Sequence, residues 1–123
     1  MPTSQANGAS PDLGILQGTL DVMILKAVSW GPMHGFAVAK WIRSTTDDVL
    51  QIDDGALYPA LHRMEHRGLI DADWDLTENK RRAKYYRLTA KGRQELRVRA
   101  TSWDRYASAV SKVIHATVQP SVS

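Results

Sequence analysis

The hydrophobic period of this chain changes twice, and those changes leave few folds open. From Leu13 to Gly68 apolar residues recur at steps of three and four, from Ile70 to Leu88 they alternate, and after Thr89 the helical step returns. The order this predicts is three helices, a hairpin and one further helix, within 123 residues that can bury a single small core.

The first helical run carries Leu13, Leu16, Leu20, Met23, Ile24, Ala27 and Val28 on one face and stops at Gly31-Pro32. The second runs from about His34 to Ser44, with Phe36, Ala39, Ile42 and Arg43 in its stripe and Val38 and Trp41 flanking it. Thr45 to Asp48 read as its exit loop. The third spans roughly 54–67: Asp53 or Asp54 suits an N-cap, Pro59 is tolerable in about the first turn, and Gly68 suits a stop. At about 100° per residue, Leu57, Ala60, Leu61 and Met64 share the packing face, which leaves Tyr58, His62, Arg63 and His66 outside it.

Beyond Gly68, Ile70, Ala72 and Trp74 alternate with Asp71 and Asp73, the polar stretch DLTENKRRA follows, and the run from Lys84 to Leu88 alternates again. This predicts a two-stranded hairpin with a long basic tip. Thr89 then caps a last helix to about His115, with Leu96, Trp103, Tyr106, Val110 and Val113 near a/d spacing. At 1.5 Å per residue such a helix is roughly 40 Å long, too long to lie wholly against a core of three short helices. Trp41, Trp74, Tyr85 and Tyr86 are expected in core or sheet packing. Residues 1–12 are expected to be a disordered arm and 116–123 a disordered tail.

Composition narrows the function classes. There is no cysteine, so neither a disulfide framework nor a thiolate metal site is available, and a reducing, cytoplasmic setting is expected. The first residues lack a basic segment followed by an apolar run, and the strongest apolar stretch, VMIL, is stopped by Lys26, so neither secretion nor membrane spanning is expected. The net charge of +3 is lopsided: residues 1–60 carry three basic and six acidic side chains, whereas 61–123 carry thirteen and seven. Nine of those thirteen fall between Lys80 and Arg99, where Glu95 is the sole acid. Such a block is either a solvated face or the footprint of a polyanion.

The predicted architecture decides between the two. Mainly helical with a small β-hairpin (α+β), it has the order of a winged helix-turn-helix over 13–88 followed by a dimerisation helix over 89–115. In that frame the third helix enters the major groove of DNA with Tyr58, His62, Arg63 and His66, and the wing grips the backbone with Asn79, Lys80, Arg81, Arg82 and Lys84. His34 and Lys40, before and on helix two, are expected near the same DNA. A winged helix used only for protein docking is the alternative, although it has no reason to concentrate positive charge on the wing.

Within helix three, His62, Arg63, Met64, Glu65 and His66 spell the H-x-x-E-H pattern of some zinc peptidases. A peptidase needs a third protein ligand, an open coordination position and a cleft, and the sequence offers no second motif for them. The pattern is therefore assigned to the recognition helix, with no metal, no cofactor and no enzymatic activity expected. Glu65, at the edge of the apolar arc, is expected to support packing or pair with a nearby basic group.

The stretches GTLDVMILKAV, GPMHGFAVAKWI, ALYPALHRMEHRGLI and RRAKYYRLTAKGRQEL resemble the PadR-type transcriptional regulators over about residues 13–115, most specifically in LYPAL and KYYRLTAKG. The resemblance implies a homodimer, built through the last helix and helix one, that represses transcription at a near-palindromic operator. It also implies a candidate effector site. In some family members a tryptophan in the context matched here by Ser102-Trp103-Asp104-Arg105 stacks on flat aromatic compounds at the dimer centre. Trp103 then has two readings, interface anchor or stacking platform, and Ile15, Val22, Leu96, Tyr106 and Val110 share the expected effector or dimer surface.

Overall fold

The computed structural model describes residues 13–121, with side chains from residue 18 onward. In chain order its elements are α1 (Leu13–Val28), β1 (Met33–His34), α2 (Gly35–Thr45), α3 (Asp54–His66), β2 (Ile70–Leu76), β3 (Arg82–Leu88) and α4 (Ala90–Ile114). Both expected strands are present and longer than their alternation suggests, so the loop at the tip shrinks to residues 77–81. A strand not anticipated in the sequence, β1, adds to the hairpin to give an antiparallel sheet ordered β1-β3-β2.

The core is the junction of three helices and the base of the sheet. Leu20, Ile24, Leu25, Ala27 and Val28 of α1 meet Val38 and Ile42 of α2, Leu57, Ala60, Leu61 and Met64 of α3, and Leu69, Ile70 and Tyr86 of the sheet region. The packed face of α3 is the expected one. That of α2 is rotated: Gly35, Val38 and Ile42 are buried, whereas Phe36 is 69% exposed. On α1, Leu25 and the carboxylate Asp21 are buried beside the expected stripe, while Leu13, Leu16 and Ile15 lie outside the described side chains. Trp74, expected in packing, is exposed on the wing.

Element ends are set by local chemistry. The Asp53 side chain accepts the Ala56 N–H at 2.9 Å and starts α3. At its end Gly68 adopts φ +76°, with Gly68 N–H donating to Glu65 C=O and Leu69 N–H to Met64 C=O, while Leu69 and Met64 are both buried. Thr89 joins α4 to this turn: its hydroxyl accepts the Gly92 N–H at 2.9 Å and donates to the Gly68 carbonyl at 2.7 Å. Gly92 itself lies so close to the Leu69 carbonyl that no Cβ fits there. The start of α4 is thus locked to the end of α3, which fixes the long helix relative to α3.

Candidate nucleic-acid interface

The rotation of α3 sorts its side chains into three sets. His62 and His66 point away from the buried arc and are exposed. Tyr58 and Glu65 occupy the flank nearest the sheet, and Arg63 the opposite flank, about 60° beyond Ala60 on the helical wheel. From there Arg63 reaches back to α1, placing Nη2 at 2.7 Å from Asp21 Oδ1. This departs from the expectation that Arg63 faces DNA: a buried carboxylate captures it, and Arg99 of α4 approaches the other oxygen at 3.6 Å. Burial raises the Asp21 pKa above its ordinary 3.8, against the opposing pull of Arg63 and Arg99.

Tyr58 lies across the start of α2. A Cβ at Gly35 would stand 2.8 Å from its ring, so glycine permits the approach. The cap of α2 is His34, whose Nδ1 accepts the Ala37 N–H at 3.1 Å and whose half-buried ring sits edge-on to Tyr85 at 5.2 Å. Its Nδ1 therefore serves the cap of α2. Lys40 is exposed on the side of α2 away from Val38 and Ile42.

The wing tip is a tight turn in which Lys80 N–H donates to Thr77 C=O and Thr77 N–H to Arg81 C=O, both at 2.8 Å, with Lys80 at φ +59°. Not every basic side chain of the wing is available. Lys84 Nζ sits 2.9 Å from Glu65 Oε1, a pairing that raises the lysine pKa. This bridge pairs Lys84 within the chain, fastens the wing to α3 and engages the carboxylate of the H-x-x-E-H pattern. Arg87 is held by Asp71 and Asp73. Lys80, Arg81 and Arg82 form no ion pair among the described residues, and Asn79 is exposed beside them. The arrangement presents a cationic edge next to a helix face carrying Tyr58, His62 and His66, able to neutralise phosphates and meet base edges together. No group of three potential metal-ligating side chains converges among the described residues.

Along α4, Trp103 lines two neighbouring cavities. One, of about 270 Å³, lies between α1 and α4 and is lined by Gly18, Thr19, Val22, Arg99, Ser102, Trp103 and Tyr106. The other, of about 390 Å³, extends towards α2 past Met23, Trp41, Leu50, Leu96 and Ala100. Leu96 packs half-buried against the core and lines the second cavity. Val110 lines neither cavity and is 38% exposed. Asp21 and Arg99 escaped the sequence reading. A lone carboxylate within the apolar run TLDVMIL signals a buried pair, but its cations lie too far along the chain to be identified from the sequence.

Comparison with known proteins agrees with this geometry. A family model described as the transcriptional regulator PadR-like family matches residues 24–98. A solved transcriptional regulator from Clostridium thermocellum is 30% identical, with a TM-score of 0.69 over 85% of this chain and 98% of that one. A solved PadR family transcriptional regulator from Eggerthella lenta is 31% identical, with a TM-score of 0.67 over 85% and 89% of the two chains. An uncharacterised protein of Lysinibacillus sphaericus is 28% identical over 89 residues, 72% of this chain and 82% of the relative.

Proposed function

The chain belongs to the PadR-like family of transcriptional regulators, and we propose that it is a homodimeric repressor whose α3 reads a near-palindromic operator. The observation that carries this reading is the set of unpaired cations Lys80, Arg81 and Arg82, fastened beside the solvent face of α3 by the bridge from Lys84 to Glu65. In this reading His62 and His66 meet base edges in the major groove, the Tyr58 hydroxyl meets a phosphate, and the wing cations release counterions from the adjacent backbone. A docking module has no use for unpaired cations in that position.

Dimerisation is supported by the apolar surface of α4, where Trp103, Tyr106, Val110, Val113 and Ile114 are all more than a third exposed. Pairing two copies about a twofold axis through this helix would set two recognition helices about 34 Å apart, one turn of DNA. The cavities beside Trp103 support a small planar aromatic effector, recognised by stacking, that relieves repression.

The test is binding to a labelled duplex of the promoter upstream of the chain's own gene, over a range of salt concentrations. Arg81→Ala and Arg82→Ala should each weaken binding across sequences and lower the salt slope by about one. If neither variant changes binding, the wing assignment is wrong. For the effector, planar aromatic compounds should quench tryptophan emission more in the wild type than in Trp103→Ala, where Trp41 still lines the larger cavity; equal quenching in both would rule out stacking on Trp103.

A further inference from the structure

Trp74 stands on β2 with its ring 59% exposed, and a large aromatic on a two-stranded arm calls for a reason. The strand register supplies the setting. Trp74 is directly opposite Lys84, and Leu76 opposite Arg82, so these four share one face of the wing, while Asp71, Asp73 and Asp75 occupy the other. Because Lys84 bridges to Glu65, the face that carries Trp74 is the one turned towards the recognition helix. Its neighbours on that face are the Arg82 guanidinium and the Lys84–Glu65 pair, while the strand carboxylates Asp71, Asp73 and Asp75 lie on the reverse side.

Arg82 adds a second observation. Its guanidinium carbon lies over the Trp74 ring, 5.0 Å from the centroid, a cation–π contact. A guanidinium carries five N–H donors, so one held in this way can still donate to phosphate oxygens. An aromatic ring beside cations of this kind suits a polyanion with flat, apolar parts, which is what the sugars and bases of DNA provide.

We propose that Trp74 is a DNA-contacting residue of the wing, its indole lying against the sugars of the duplex beside the phosphate held by Arg82. The proposal rests on the DNA-binding reading given above. It assigns a role to a residue that charge alone does not select, and it makes one wing contact insensitive to salt.

The test compares Trp74→Ala, Trp74→Phe and Arg81→Ala in the full-length chain on the labelled promoter duplex and on a random-sequence duplex. Trp74→Ala should weaken binding about tenfold with the salt slope unchanged, because a stacking contact is lost and no phosphate charge is removed. Trp74→Phe should retain most of the affinity. Duplex addition should also alter tryptophan emission more in the wild type than in Trp74→Phe. If Trp74→Ala binds as the wild type does while Arg81→Ala weakens binding, the role of Trp74 is refuted and the wing reading stands. If Arg81→Ala is also silent, the wing reading falls and takes the proposal with it. A change of oligomeric state in Trp74→Ala, seen by light scattering, would assign the ring to a protein interface and overturn the proposal.

Discussion

Asp21 is a buried carboxylate, its side chain 6% exposed where α1 meets α3 and α4. Burial outweighs Arg63 and Arg99 and leaves its pKa raised, so the folded chain holds this proton to higher pH than the unfolded chain does. The linked stability is fully present below about pH 3.8 and is lost as pH rises through the folded value. Chemical denaturation at several pH values should accordingly show the wild type losing stability relative to Asp21→Asn across that acid window and a constant difference above it. Arg63→Ala removes a group that lowers the pKa, so it should widen the window; it should also cost about 1–2 kcal/mol at neutral pH, with Arg99 retaining part of the pairing. A smaller side chain acts through space alone: Gly92→Ala drives a Cβ into the Leu69 carbonyl and should destabilise the chain by about 3 kcal/mol in the same assay.

The elements differ in how openly the sequence declares them. The packed arc of α3 is legible because a cap, a glycine stop and four apolar residues at regular spacing all agree. For α2 the bulk of Phe36 misdirects the phase, since Gly35 is buried without counting as a hydrophobe and an offset of one residue turns a helix by about 100°. A strand of two residues such as β1 has no period to detect. The candidate interface is legible as a cluster of charge, but not in the pairings that commit Lys84 and Arg63, because both partners come from distant parts of the chain. The hairpin tip carries its own prediction. Lys80 occupies the left-handed region, where a side chain costs about 1 kcal/mol, so Lys80→Gly should raise the unfolding midpoint while weakening DNA binding and lowering the salt slope by about one. Stability and affinity moving together would contradict the split between turn geometry and phosphate contact.

At the scale of the whole molecule, the hydrogen bonds of Thr89 fasten the start of α4 to the end of α3. In the proposed dimer, pairing through α4 would set the spacing of the two copies of α3, and the charge network of Arg63, Asp21 and Arg99 ties α3 to the wall of the cavity beside Trp103. A ligand in that cavity, as proposed, would reach α3 by a short path, with Arg99 as the group shared by the cavity and the Asp21 ion pairs. If two copies present α3 and the wing to one operator, nuclease footprinting of the chain's own promoter region should show a protected near-palindrome with half-site centres about one helical turn apart, lost as salt rises. Protection of a single isolated half-site, or no protection even at low salt, would contradict it.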